Sequence, residues 1–305
     1  MREYTLKVSK EQEGRRLDLL LSAFSKEHNL GLSRTAIQDL ISREKITVKD
    51  SFRAKAHYKV KPADKIRIII EDKVKSALKA EKIPLEIIYE DKDLAVINKP
   101  IGLVVHPAPG NYEHTLVNAL LARFKELSDI NPQRPGIVHR LDKDTSGVMV
   151  IAKNNSSHLK LSRQFAEHSI KRKYVAVVKG KMKFDENVIE APIARHALKR
   201  ENMAVNFSTH ARYAKTYYRT LKRTDALSLL QLEPFTGRTH QLRVHLAFIG
   251  HPVLGDKKYG KSGEFRRLAL HAQALGFIHP STGKFVEFHS SLPQAFLDVM
   301  RKNKA

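Results

Sequence analysis

The chain has 305 residues, room for one medium domain and a small one, and 42% of them are apolar, enough for a sizeable core. Lys and Arg total 55 against 32 Asp and Glu, a formal net charge of +23, and an excess this one-sided points to a polyanionic partner because neutralising phosphates releases condensed counterions. Without cysteine there is no disulfide, thiolate nucleophile or thiolate metal site. No run approaches the roughly 20 apolar residues of a membrane span, and the charged start from Met1 to Lys10 lacks a signal-peptide core, so a cytoplasmic protein is expected.

In chain order, residues from about 14 to 71 read as a small unit. Arg16 to Leu21 opens an amphipathic helix, and Ser33 is a good N-cap for a second, with Ile37, Leu40 and Ile41 at helical spacing. The β-like runs Ile46 to Val48 and Ile66 to Ile70 follow. We place this domain at 1–71 and a charged linker at 72–83. A larger domain, 84–305, begins with Leu85 to Tyr89 and Leu94 to Ile97, a hairpin about Glu90 to Asp93. Helices are expected at Thr115 to Leu127, Ser156 to His168 and Thr239 to Ile249. Strands are expected at Val148 to Ala152, Tyr174 to Val178, Tyr217 to Leu221, Leu227 to Leu232, Leu268 to Leu270 and Phe285 to Phe288. The interleaving has no βαβ period, which favours an α+β fold on a mixed, largely antiparallel sheet.

Three polar clusters interrupt apolar runs. The first, Asn98 to Pro107 (NKPIGLVVHP), reads by itself as a Pro/Gly-punctuated loop. The second, Pro135 to Gly147 (PGIVHRLDKDTSG), runs straight into a strand. A carboxylate beside Arg and His in a partly dry site stays ionised, so Asp142 could serve as nucleophile or general base. Equally, Asp142 and Asp144 could cap a turn, with Thr145 and Ser146 bonding local backbone. The third, Thr236 to His245 (TGRTHQLRVH), enters a helix on which Arg238, Gln241 and His245 share a face while Arg243 lies elsewhere. A Gly-Arg at a helix start can hold phosphate, and an ordinary basic surface helix would look the same. His240 and His245 are five apart with no acidic residue between, which does not fit a helical zinc pair, so no metal is expected. The common phosphate-loop, dinucleotide and serine-hydrolase motifs are absent.

These clusters, in this order and spacing, resemble the RluA-type pseudouridine synthases over residues 84 to 292, and HRLD with TSG at 139–147 is the most specific part of the match. The last cluster continues through Gly250 to Asp256 (GHPVLGD), and Lys173-Tyr174 sits where the family has a short tyrosine motif. The resemblance implies that Asp142 is the catalytic aspartate, which attacks or deprotonates the nucleoside so that uracil detaches and rejoins ribose through carbon 5. It implies that Arg243 pairs with that aspartate, that Tyr174 stacks on the base, and that Arg140 fills the space left when the base flips out. His139, Arg238 and Gln241 are expected to contact substrate RNA, and no cofactor is expected because substrate and product are isomers.

The N-terminal residues resemble the RNA-binding module named after ribosomal protein S-four: Ser33-Arg34 and Ile37 to Ile41 match its helical core, which makes Arg34 a candidate RNA contact. Its usual turn glycines are replaced by Glu44, Lys49-Asp50 and Ala63. Together the module and the form of the second cluster imply the branch that acts on large-subunit ribosomal RNA; nothing in the sequence sets the oligomeric state, and a monomer is taken as the default. The alternatives are a transfer-RNA pseudouridine synthase and a non-catalytic RNA-binding ribosome-assembly factor. A glycoside-processing enzyme would need a second carboxylate, with Asp144 the nearest candidate.

Overall fold

The computed structural model describes residues 2–28, 30–49, 55–70, 78–107, 111–199, 201–260 and 265–303. They divide into two compact units, residues 1–77 with 129–132, and residues 78–128 with 133–305. Residues 72–77 of the expected linker lie outside the described residues.

The first unit holds strand β1 (Arg2–Lys7), helices α1 (Leu17–Glu27) and α2 (Arg34–Ser42), and strands β2 (Ile46–Val48) and β3 (Lys65–Ile70). Ser33 caps α2 by accepting from the Ala36 N–H at 3.2 Å, as its residue type predicts. The sheet order is β1-β3-β2, antiparallel throughout. Alternation along β3 sends Ile66, Ile68 and Ile70 inward, against Leu17, Leu20 and Leu21 of α1 and Ile37 and Ile41 of α2. Each such side chain contributes about 1.5–3 kcal/mol when fully buried.

The second unit is built on a nine-stranded sheet. Its strands are β4 (Glu86–Glu90), β5 (Leu94–Lys99), β6 (Ser146–Ala152), β7 (Lys171–Lys179), β8 (Glu186–Glu190), β11 (Lys215–Arg223), β12 (Leu227–Pro234), β13 (Leu270–Ile278) and β14 (Phe285–His289). The order is β4-β5-β6-β13-β7-β12-β11-β8, with β14 added on β13. Only the seam between β6 and β13 is parallel, over two residue pairs; every other pairing is antiparallel. A small ribbon, β9 (Ile193–Arg195) with β10 (Met203–Val205), stands apart from the sheet.

All seven residues of β6 are buried, because helices cover both faces. Leu116 and Leu120 of α3 (Leu116–Arg123) pack on Met149 and Ile151. Leu161 of α4 (Asn155–Ala166) packs on Val148 and Val150. At the other end of the sheet, Leu242 and Leu246 of α5 (Gln241–Phe248) and Phe296 and Met300 of α6 (Gln294–Lys302) join the core of β7 and β12. The rigid sheet thus carries the second polar cluster at the entrance to β6 and the third between β12 and α5.

Several expectations change at their edges. The helix expected to reach Leu127 ends at Arg123, where Phe124 turns extended and enters the core. The helix expected from Thr239 begins at Gln241, because His240 takes a left-handed conformation, φ 55°.

Candidate active site

The second cluster ends in a tight turn whose Asp142 carbonyl accepts from the Thr145 N–H at 3.1 Å. Its backbone makes the turn while its side chain lines a cavity, and the Ser146 hydroxyl, expected on local backbone, instead meets Nδ1 of His271 at 2.9 Å and accepts from Arg267. The turn is fixed by Gly147, φ 118°, where a Cβ would lie 2.1 Å from the Ala272 carbonyl oxygen across the parallel seam. The Asp142 side chain is 19% exposed. Its Oδ2 accepts from Nη1 of Arg243 at 3.1 Å and lies 3.8 Å from Nε2 of His240. No described residue bonds Oδ1.

Arg243 is held from behind. Its Nε and Nη2 donate to Oδ2 and Oδ1 of Asp256 at 2.7 and 2.9 Å, a bidentate pair in which Asp256 is fully buried. Burial alone would lower the Arg243 pKa; the hydrogen bonds and charges of Asp256 and Asp142 outweigh it and raise it. Burial likewise pushes the Asp256 carboxyl up, and Arg243 pulls it below the usual range. Backbone N–H groups of Lys258 and Tyr259 also donate to Asp256. The Tyr259 ring lies under the guanidinium at 5.1 Å, and its hydroxyl meets Nδ1 of His240 at 2.7 Å. Burial drives the His240 pKa down against the pull of Asp142, with Arg243 adding to the fall. One guanidinium between two carboxylates leaves the group one negative charge in excess, at Asp142.

The first cluster supports the second. Lys99, fully buried, donates to the carbonyls of Pro100 (2.8 Å), Leu103 (2.9 Å) and Lys143 (3.0 Å), and the Gly102 N–H joins it on Lys143 at 2.9 Å. Burial lowers the Lys99 pKa to about 8, with Asp144 and Asp142 pulling the other way. Lys143, next to Asp142, is therefore tied to Lys99, 44 residues earlier, a role the Pro/Gly punctuation did not suggest.

The cavity is about 320 Å³ and is lined by Arg140, Asp142, Tyr174, Arg238, His240 and Arg243, among others, a size suited to a small ligand or one flipped base. Tyr174 is half-buried, and burial raises its phenol pKa, keeping it neutral. Arg140 is exposed. His139 turns inward: Nε2 accepts the Val150 N–H at 3.1 Å and its ring stacks on Phe165 at 4.5 Å. Burial and the Arg172 charge push its pKa down to about 3, so it is a neutral acceptor holding β6. Gln241 is buried and saturated: Oε1 accepts from Thr236 and the Arg238 N–H, and Nε2 donates to Lys215 and Thr216. Its amide shapes the loop that presents Arg238, whose Nε donates to the Tyr213 carbonyl. His245 bonds Thr216 and the Ala191 carbonyl, so the helix face it shares with Gln241 looks into the protein, and Arg243 on another face reaches Asp142.

Arg34 lies in the first unit, where it joins Arg16 and Gln38 on the buried Asp18. Burial pushes the Asp18 carboxyl up, but these three donors hold it well below the usual range. One cluster has metal-ligand spacing among the described residues: Asp91, Asp93 and His279. Its oxygens are taken by the β4–β5 turn N–H groups, His279, Tyr89, Asn154, Ser157 and Ser281, which marks it as a hydrogen-bonded turn.

Residues 93–248 match the family described as RNA pseudouridylate synthase. The chain is similar to a Bacillus subtilis protein named uncharacterized RNA pseudouridine synthase YlyB, 41% identical over 99% of this chain and 100% of that one. It is also similar to ribosomal large subunit pseudouridine synthase D of Zymomonas mobilis, 42% identical over 94% of this chain and 93% of the other. Among solved structures, human RNA pseudouridylate synthase domain containing 1 superposes with a TM-score of 0.59 at 25% identity, covering 77% of this chain and 99% of that one.

Proposed function

The chain belongs to the RNA pseudouridylate synthase family, and from that premise we propose that it converts uridine to pseudouridine in large-subunit ribosomal RNA with Asp142 as the catalytic carboxylate. The observation that carries this reading is the shared guanidinium: Arg243 is matched by Asp256 and orients Asp142 through a single bond at 3.1 Å. Asp142 therefore keeps an unbonded oxygen and its charge for the nucleoside.

A flipped uridine entering the cavity meets the Tyr174 ring and the Asp142 carboxylate, both of which line it. Asp142 engages the nucleoside and the bond between ribose C1′ and uracil N1 breaks. The base turns, C5 bonds to C1′, N1 gains a proton and the C5 hydrogen leaves to water. Atoms balance without an external reactant, so no cofactor is called for. Arg140, exposed at the cavity, takes the space the base vacates, and Arg238 reaches the RNA from the loop that Gln241 braces.

We assign the N-terminal unit as an RNA-binding module of the S-four type, with Arg16 and Arg34 half-exposed around Asp18 and directed by it. No described helix is long and apolar enough to cross a membrane, and we place the protein in the cytoplasm as a monomer. The target class follows the large-subunit name of relatives such as the Zymomonas mobilis protein. The test uses ribosomal and transfer RNA from cells lacking this protein, tritiated at uridine C5. Tritium release from large-subunit RNA alone supports the reading. Release from transfer RNA alone reassigns the substrate, and tight salt-sensitive binding without release makes the chain a non-catalytic RNA-binding factor.

A further inference from the structure

Strand β7 sends two side chains to the same side of the sheet, Tyr174 and, two residues before it, Arg172. Both line the cavity. Arg243, which lines it too, is compensated by Asp256 and Asp142, and Lys99, buried beneath the neighbouring loop, by three carbonyls. Arg172 is not. Among the described residues no carboxylate lies within ion-pair distance of it, and its one hydrogen bond runs from Nη2 to the Pro234 carbonyl at 3.0 Å. Its Nε is sealed from solvent with no partner. Burial lowers its pKa, the direction of a guanidinium short of negative charge. Its remaining donors are on Nη1 and Nη2, and the Nη1 edge is kept open by Gly237: a Cβ there would come within 3.1 Å of Nη1.

We propose that Arg172 and the gap at Gly237 form an anion subsite that takes a backbone phosphate of the RNA beside the uridine in the cavity. The inference rests on the RNA-modifying activity proposed above. Phosphate fits better than a uracil oxygen for a physical reason. A neutral carbonyl would leave the guanidinium charge uncompensated, whereas a phosphate is an anion with the geometry a guanidinium fork matches. The subsite would fix the strand's position relative to the Tyr174 ring before any bond in the base breaks, so it acts on binding rather than on chemistry.

The test measures tritium release from C5-labelled large-subunit ribosomal RNA transcript over a series of salt concentrations, for wild type, Arg172→Gln, Arg172→Lys and Gly237→Ala. For Arg172→Gln we expect KM to rise about tenfold and single-turnover rate at saturating RNA to stay within about threefold. The plot of log(kcat/KM) against log salt should be shallower by about 0.7–1, one phosphate contact. Arg172→Lys should keep the wild-type slope. Gly237→Ala should raise KM with the charge in place, which preserves a readout if the glutamine variant does not fold. An unchanged salt slope in a folded Arg172→Gln overturns the proposal, as does a defect confined to the saturating rate, which would put Arg172 on the base. Unchanged KM in Gly237→Ala also counts against it. Release by the wild type reads the underlying activity separately, so failure of that reading is not mistaken for failure of the subsite.

Discussion

Asp142 has one strong partner, and that partner has a stronger one of its own. Nη1 of Arg243 reaches Asp142 at 3.1 Å, while Nε and Nη2 grip Asp256 at 2.7 and 2.9 Å. Asp256 is therefore the residue that aims the arginine. Asp256→Asn removes the charge and turns a donor toward the guanidinium or the N–H groups of Lys258 and Tyr259. We expect kcat to fall about 10–100-fold with KM little changed; kinetics within a factor of about two of wild type would show that Arg243 needs no anchor. Asp142 and Arg243 were legible in the sequence because both sit inside specific motifs. The role of Asp256 was not, although its GHPVLGD segment stands out: a contact 13 residues along the chain is made by the fold. Gln241 and His139 show the converse limit. Their residue types suit RNA contact and both line the cavity, but only the fold reveals that the Gln241 amide is already taken by Thr236, Lys215 and Thr216 and that Nε2 of His139 is taken by the Val150 N–H.

At the scale of elements, the loop after β5 and the loop before β6 are one device joined by Lys99. Its buried ammonium serves three carbonyls at once. Lys99→Met fills the space but leaves those acceptors without their donor, a loss of about 3 kcal/mol in urea unfolding. A loss under about 1 kcal/mol would mean that water replaces the ammonium. Elements with strong apolar periodicity, such as β3, β6 and α4, were legible to within a few residues. Those whose inward positions are few were missed. β1 pairs with β3 along REYTLK, where charged residues mask the alternation; α6 buries only Phe296 and Met300. β8 carries little apolar signal, and β9 and β10 are three residues each, too short to show an alternation. The start of α5 was misread because a left-handed histidine is a tertiary choice, tied to Tyr259 and the Asp142 site.

Across the whole molecule, the α+β class was readable from the irregular mixture of strands and helices, and the small unit has its own core. That unit also bears a cost visible in its sequence. Glu44, Lys49 and Ala63, standing where glycines are usual, all adopt positive φ, at 60°, 53° and 67°. Such a conformation is disfavoured by about 1–2 kcal/mol for a residue with a Cβ. Ala63→Gly relieves it at some cost in chain entropy, for a net gain of about 0.5–1 kcal/mol. Hydrogen exchange at β3 amides should slow accordingly while amides of β6 do not change; faster exchange at β3 would contradict this. Lys49→Gly should gain less, because the Lys49 ammonium lies 3.4 Å from the buried Asp64 carboxylate and would be lost.

The measurement that bears most directly on the account is tritium release from C5-labelled large-subunit ribosomal RNA by wild type and Asp142→Asn. The variant keeps the size of the side chain and one oxygen for Arg243 but removes the charge. We expect release by the wild type, loss of at least about 10⁴-fold in the variant, and RNA affinity preserved within about threefold. Release by Asp142→Asn at a rate near wild type would contradict the assignment of Asp142 as the group that starts the reaction.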